Sequence, residues 1–176
     1  MTDWDAIVRE FGPVVWRTAC RLLTREADAA DCFQRTFLSA VELDAAEPVR
    51  NWPAILKRLA TARALEQLRS RYRESRRAAE FPDELPADPT APDPLDLACG
   101  GELAHALRRA LSAIDAQQAE VFCLVCVEGF TNAEAAVALG VTANHAGVLL
   151  HRARAALRER LRAFDPSREH SSGGHS

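Results

Sequence analysis

The stretch FTNAEAAVALGVTANHAGVLLHRARAALRERLRAF, residues 130–164, decides how the rest of the chain is read. Thr131 is followed three residues later by Glu134, a capping-box signature for a helix start. The pattern predicts a short helix over Asn132 to Leu139, a turn through Gly140 and a second helix starting at Thr142. In that second helix Ala146, Leu149, Leu150, Ala153, Leu157, Leu161 and Phe164 recur with a period near 3.6. At about 100° per residue, Ala146, Leu150, Ala153 and Leu157 face inward and Asn144, Val148, His151 and Arg152 face outward. Two helices joined by a tight glycine turn are the helix-turn-helix pattern of DNA readers. An ordinary helical hairpin shares that pattern, so the stretch alone leaves both readings open.

Working outward, Leu103, Leu107, Leu111 and Ile114 mark a helix, and Asp115 to Gln118 looks like another helix cap. The apolar run from Val121 to Val127 is expected to be a buried helix stopped by Glu128-Gly129. Cys123 and Cys126 have C-x-x-C spacing, but no second pair or nearby histidine pair completes a metal site. Both are read as small buried hydrophobes. Residues 81–101 hold five of the nine prolines, five acids and no base, the composition of a linker. At about 3.1 Å per residue such a chain spans roughly 60 Å, enough to let its two ends sit far apart on a shared partner. The tail over 165–176 has the composition of a disordered segment.

The N-terminal 80 residues read as three helices. The first covers residues 3–23, with Pro13 as an expected break or kink. The second, Glu26 to Val41, sets apolar Ala27, Ala30, Phe33, Phe37, Leu38 and Val41 against polar Asp28, Asp31, Gln34 and Arg35. The third is capped by Asn51, with Pro53 in its first turn. Its expected inward stripe is Ile55, Leu59, Ala62, Leu65, Leu68 and Tyr72. Between Lys57 and Arg77 eight basic residues face two acids, a net charge of +6. Such a stripe is the electrostatic footprint of a polyanion partner, and Trp52 adds a face on which an unstacked base can lie. A core tryptophan with a solvated basic helix is the other account of the same residues.

The overall charge of −3 hides this arrangement. Residues 1–80 hold 14 basic and 12 acidic side chains, residues 102–164 hold 7 and 6, and the acid is concentrated between them. No apolar run approaches the ~20 residues of a membrane span. With no basic start or apolar signal core at the N-terminus, a soluble cytoplasmic protein is expected. Five cysteines form no secreted-type framework. No nucleophile, carboxylate pair or metal cluster suggests an enzyme, and the reading calls for no cofactor, no small-molecule substrate and no membrane insertion.

In combination, these pieces carry a family resemblance. The chain resembles a small bacterial RNA polymerase sigma factor of the extracytoplasmic-function type, from residue 4 to residue 164. Asp28-Ala-Ala-Asp31-Cys-Phe-Gln34-Arg-Thr-Phe37 looks like the family's D-A-E-D-hydrophobic-hydrophobic-Q-[ED]-[TV]-F motif. Asn51-Trp52 through Arg69 looks like its W-L-x-x-I-A-x-N-x-x-x-D-x-x-R stretch. Asp115 to Arg154 is similar to its second domain, ending in Leu150-His151-Arg152-Ala153-Arg154. The resemblance implies an all-α fold of two small helical domains. These are a region 2-like bundle over 1–80 and a region 4-like helix-turn-helix domain over 102–164, joined by the linker 81–101.

It further implies that Asp28, Asp31, Gln34 and Phe37 dock on the clamp helices of core RNA polymerase. Asn51, Trp52, Lys57, Arg58, Arg63, Arg69, Arg71 and Arg73 would engage the minus-ten promoter element. Thr142, Asn144, His145, Val148, His151, Arg152 and Arg154 would read the minus-thirty-five element as duplex DNA. An anti-sigma partner is a family-level expectation. Two departures stand out. Ala30 and Arg35 replace acids in the first motif, and His145 to Leu150 replaces the family's T-V-K-S-R-L, with no lysine or arginine before Arg152. Weak autonomous duplex binding is therefore expected. A degenerate sigma-like regulator that binds without initiating, and an unrelated helix-turn-helix repressor, are the competing readings.

Overall fold

The computed structural model describes residues 2–80 and 101–162; the linker up to residue 100, Phe164 of the predicted second stripe and the tail fall outside them, and Gly101 opens a helix. Seven α-helices form among these residues: α1 Trp4–Leu22, α2 Glu26–Ala46, α3 Trp52–Glu80, α4 Gly101–Ala113, α5 Ala116–Phe122, α6 Asn132–Leu139 and α7 Ala143–Arg160. The described residues are all-α as read, and local sequence explains most of the boundaries. Asp3 caps α1 by accepting from the Ala6 amide at 3.0 Å, and Asn51 caps α3 by accepting from the Ala54 amide at 3.2 Å. Asp44 fixes the turn between α2 and α3, accepting from the Thr2 hydroxyl at 2.5 Å and from the Val49 amide at 2.9 Å. Those two hydrogen bonds, the hydroxyl first, hold its carboxyl below the ordinary aspartate range.

Three expectations need correction. Pro13 does not break α1, which runs through it as one helix. Pro13 and Arg9, whose carbonyl loses its usual donor, are both exposed, so water can take the donor's place. The buried stripe of α3 is Leu56, Ala60, Thr61, Ala64, Leu65 and Leu68, while Ile55, Leu59, Ala62 and Tyr72 are half-buried. This helix has neighbours on two sides, so its buried arc is wider than one amphipathic face and is centred elsewhere. Finally, the apolar run is not buried all round. After Phe122 the backbone widens into a π turn over Cys123–Val127, which buries Cys123 and Leu124 but leaves Cys126 exposed.

The apolar core has three parts. One lies within the first three helices, around Ile7, Val15, Phe37 and Leu56. One lies within the helix-turn-helix, around Val121, Leu124, Ala146 and Leu150. The third is shared: Leu22, Leu65 and Leu68 pack in one cluster with Leu111, Ile114, Cys123 and Leu157. The two halves thus share apolar surface, and α3 lies between α1 and α2 on one side and α4, α5 and the π turn on the other. No single described helix is long and apolar enough to cross a membrane.

Candidate nucleic-acid and polymerase interface

The helix-turn-helix forms from its own caps. The Thr131 hydroxyl accepts from the Glu134 amide at 3.1 Å, and the Glu134 carboxylate accepts from the Thr131 amide at 2.7 Å. Gly140 ends α6 in the left-handed region at φ 67°, where a side chain would be strained. Thr142 then caps α7 by accepting from the His145 amide at 3.1 Å. The predicted faces of α7 are present: Ala146, Leu149, Leu150, Ala153 and Leu157 are buried. Thr142, Asn144, His145, Val148, His151, Arg152 and Arg154 are all exposed and available to a groove. The Arg154 guanidinium lies 3.6 Å from Cys126 Sγ.

The α3 residues form a different kind of surface. Asn51 and Arg73 are exposed, but Trp52 is half-buried and meets Trp4 edge-on with ring centroids 5.2 Å apart. Arg63 donates to Glu66 at 3.0 Å and to the Ser39 hydroxyl at 2.9 Å. Arg71 chelates Asp28, with Nε to Oδ2 at 3.1 Å and Nη2 to Oδ1 at 2.5 Å. Lys57 turns towards the second half of the chain. Its Nζ donates to the Glu128 carbonyl at 3.3 Å, stands 4.0 Å from Glu128 Oε2 and lies 5.9 Å from the Phe130 ring centroid. Arg58 Nε and Arg69 Nη2 are buried without a hydrogen-bond partner. Glu120 is near both arginines in charge terms. Burial raises its carboxyl above the ordinary glutamate range, and Arg69 and Arg58 pull it back only in part.

The four residues of the α2 motif divide in the same way. Asp31 and Gln34 are exposed, whereas Asp28 is buried under Arg71 and Phe37 is buried with its ring 5.0 Å from that of Phe33. Asp31 pairs loosely with Arg35 at 3.9 Å, and Arg35 also reaches Glu66 at 3.9 Å. Exposed Leu38 and Val41 extend the α2 surface.

Sequence reading missed Glu128, which it treated only as part of a helix stop. The side chain is 3% exposed and accepts from the Thr18 hydroxyl at 3.0 Å and from Arg21 at 3.1 Å. Arg21 also donates to the Val127 carbonyl at 3.3 Å. The available signal was an acid directly after a buried apolar run, where a charge requires partners from elsewhere in the fold. Among the described residues no group of His, Cys, Asp or Glu side chains gathers into a metal site.

The comparisons agree with this geometry. The family described as sigma-70, region 4 matches residues 104–157, which span α4 to the buried inner face of α7. The ECF RNA polymerase sigma factor SigE of Mycolicibacterium smegmatis is 29% identical over 162 residues, covering 92% of this chain. The sigma factor RpoE of Bartonella quintana, solved in complex with the anti-sigma factor NepR, superposes with a TM-score of 0.56. That match has 25% identity and covers 92% of this chain and 98% of that one. The chain is similar to extracytoplasmic-function sigma factors over 92% of its length. It spans about 62% of the length of the mycobacterial relative. The second helix of the helix-turn-helix is poor in fixed positive charge, since Arg152 and Arg154 are the only basic residues other than histidine between Thr142 and Arg154.

Proposed function

We propose that this protein is a promoter-specificity subunit that binds core RNA polymerase and directs transcription initiation. The observation that carries the reading is the α7 face, where seven exposed candidate readers stand over a buried inner face within the region 4 match. In this reading residues 1–80 contact polymerase through exposed Asp31 and Gln34 and engage the minus-ten element through α3. Residues 102–164 read the minus-thirty-five element, and 81–101 link the two. Asn144 is suited to an adenine edge and Val148 to a thymine methyl. His151, Arg152, Arg154 and Arg158 supply phosphate contacts, which position the helix without specifying sequence. Asp28 and Phe37 support the polymerase face from inside. An anti-sigma partner is proposed by analogy with the Bartonella relative. Nothing in the geometry calls for catalysis by the chain itself.

Run-off transcription with purified core polymerase on the chain's own upstream DNA tests this reading. A discrete transcript that depends on the added protein is expected. Co-purification with polymerase but no transcript would instead select the degenerate regulator.

A further inference from the structure

Among the described helices α2 is the most acidic, with Glu26, Asp28, Asp31, Glu42 and Asp44 against the single base Arg35. Asp28 is held by Arg71 and Asp44 by the turn that follows α2. Asp31, Gln34, Arg35 and Leu38 recur at three- and four-residue steps and form one exposed stripe, in which Leu38 is 64% exposed. Arg35 does not leave this stripe positive. Its Nη1 stands 3.9 Å from Asp31 Oδ2, and its Nη2 stands 3.9 Å from Glu66 Oε2, a carboxylate that comes from α3. Glu66 is held in turn by Arg63, which also donates to the Ser39 hydroxyl of α2. Lys57, which reaches Glu128, lies about 180° around the helix from Glu66. Glu66 and Arg63 thus occupy the edge of α3 that borders α2. At 3.9 Å the two contacts of Arg35 are too long for hydrogen bonds, and the side chains in them are between 44% and 56% exposed. Exposed pairs of this kind add little to folding, whereas charges at the rim of an interface set association rate and salt dependence.

We infer that Glu66 is a docking residue for core polymerase. With Asp31 it neutralises Arg35, so that the α2 stripe meets a cationic surface of the polymerase, and Arg63 serves this face rather than DNA. This rests on the promoter reading, in which α2 contacts polymerase. Anionic DNA is a poor match for a face that carries exposed Asp31, Glu42 and Glu66 beside Leu38 and Val41. A polymerase surface with basic residues around an apolar contact complements it in both charge and polarity.

The test measures the rate at which the full chain associates with purified core polymerase, alongside the urea midpoint of each variant. Glu66→Gln should slow association about five-fold at low salt and leave the urea midpoint unchanged. The difference should shrink as salt screens the charges. Adding Arg35→Glu to Glu66→Gln should restore the rate, because the cation that Glu66 neutralises is then gone. Association of Glu66→Gln at the wild-type rate would overturn the inference, as would failure of Arg35→Glu to restore it. A strand-opening defect that persists in Glu66→Gln at saturating polymerase would also overturn it, since Glu66 would then act on DNA. Failure of the promoter reading would show separately, because wild type itself would then not bind core polymerase.

Discussion

Arg71 on α3 grips Asp28 on α2 through two nitrogens, and the carboxylate it holds is buried beneath the α2 surface. The pair ties the proposed polymerase helix to the proposed DNA helix. Removing Asp28 would leave a guanidinium that is still 31% exposed and can turn to water. The cost should therefore be about 2 kcal/mol, the range for hydrogen bonds to charged groups, and below that of a fully buried pair. Asp28→Ala is expected to shift urea unfolding by that amount. Asp31→Ala and Gln34→Ala, at exposed positions, should move it by less than about 0.5 kcal/mol yet weaken polymerase binding. Polymerase binding lost by folded Asp28→Ala as fully as by Asp31→Ala would make Asp28 a docking residue after all.

Two glycines in the helix-turn-helix should respond in opposite directions. Gly147 lies inside α7, and a Cβ built there meets nothing within 4 Å. Gly147→Ala should raise stability by about 1 kcal/mol, through lost unfolded-state freedom and better helix propensity. Gly140 ends α6 at φ 67°, so Gly140→Ala should cost about 1–2 kcal/mol. Thermal melts of the two variants should move apart from wild type, and a common direction would refute the assignment.

The contrast between these glycines shows what was legible beforehand. Local rules act within a few residues, so Thr131, Glu134, Gly140 and Thr142 announced the bounds of α6 and the capped start of α7. The inward and outward faces of α7 were equally clear, because a helix at the edge of the fold buries one arc. The same logic failed for α3, where packing on two sides sets the buried arc. It also failed on α2, where Asp28 of the polar face is buried and Leu38 and Val41 of the apolar face are exposed. The partners of Glu128 could not be named because Thr18, Arg21 and Lys57 lie between 71 and 110 residues away in sequence. A partner at that separation leaves no local pattern.

The cysteines should differ sharply in reactivity. Burial pushes the Cys123 thiol up to about 12 and the Cys32 thiol up to about 11, and reactivity follows the thiolate. Cys126 and Cys20 are exposed, although Cys20 is also raised by its partial burial. In a Cys99→Ser background, which removes the cysteine outside the described residues, a thiol reagent at pH 8 should modify Cys126 first and Cys20 next. Cys32 and Cys123 should react only on unfolding. Fast labelling of Cys123 in the folded chain would show that the π turn opens readily.

Glu134 and Glu120 should give opposite pH dependences. The Thr131 amide, then its hydroxyl, hold the Glu134 carboxyl below the ordinary 4.5. Its contribution is therefore present above 4.5 and lost as pH falls through the lower folded value. Burial raises Glu120, so its proton is bound more tightly in the folded state and stability falls as pH rises from 4.5 through the raised value. Thermal melts across pH 3 to 7 should show less acid-side loss for Glu134→Gln. Glu120→Gln should be more stable than wild type at pH 7, and a destabilised Glu120→Gln would mean that Arg58 and Arg69 outweigh desolvation.

Duplex binding offers the sharpest quantitative check on the recognition helix. Each phosphate contact contributes about −0.9 to the slope of log affinity against log salt. Arg152, Arg154 and Arg158 are the exposed arginines on α7 from its reading face to its last turn, apart from terminal Arg160. The chain alone should therefore show a shallow slope of about −3 and no submicromolar binding at physiological salt. Arg152→Ala should reduce the slope by about one and weaken all sequences alike, whereas Asn144→Ala should relax preference at one base pair. Adding core polymerase should restore tight promoter binding, since the polymerase supplies contacts that α7 lacks. A slope steeper than about −5 for the chain alone would require phosphate contacts that α7 cannot provide. Such a slope would bring in cations off α7, among them exposed Arg109 and Arg162 and the α3 stripe.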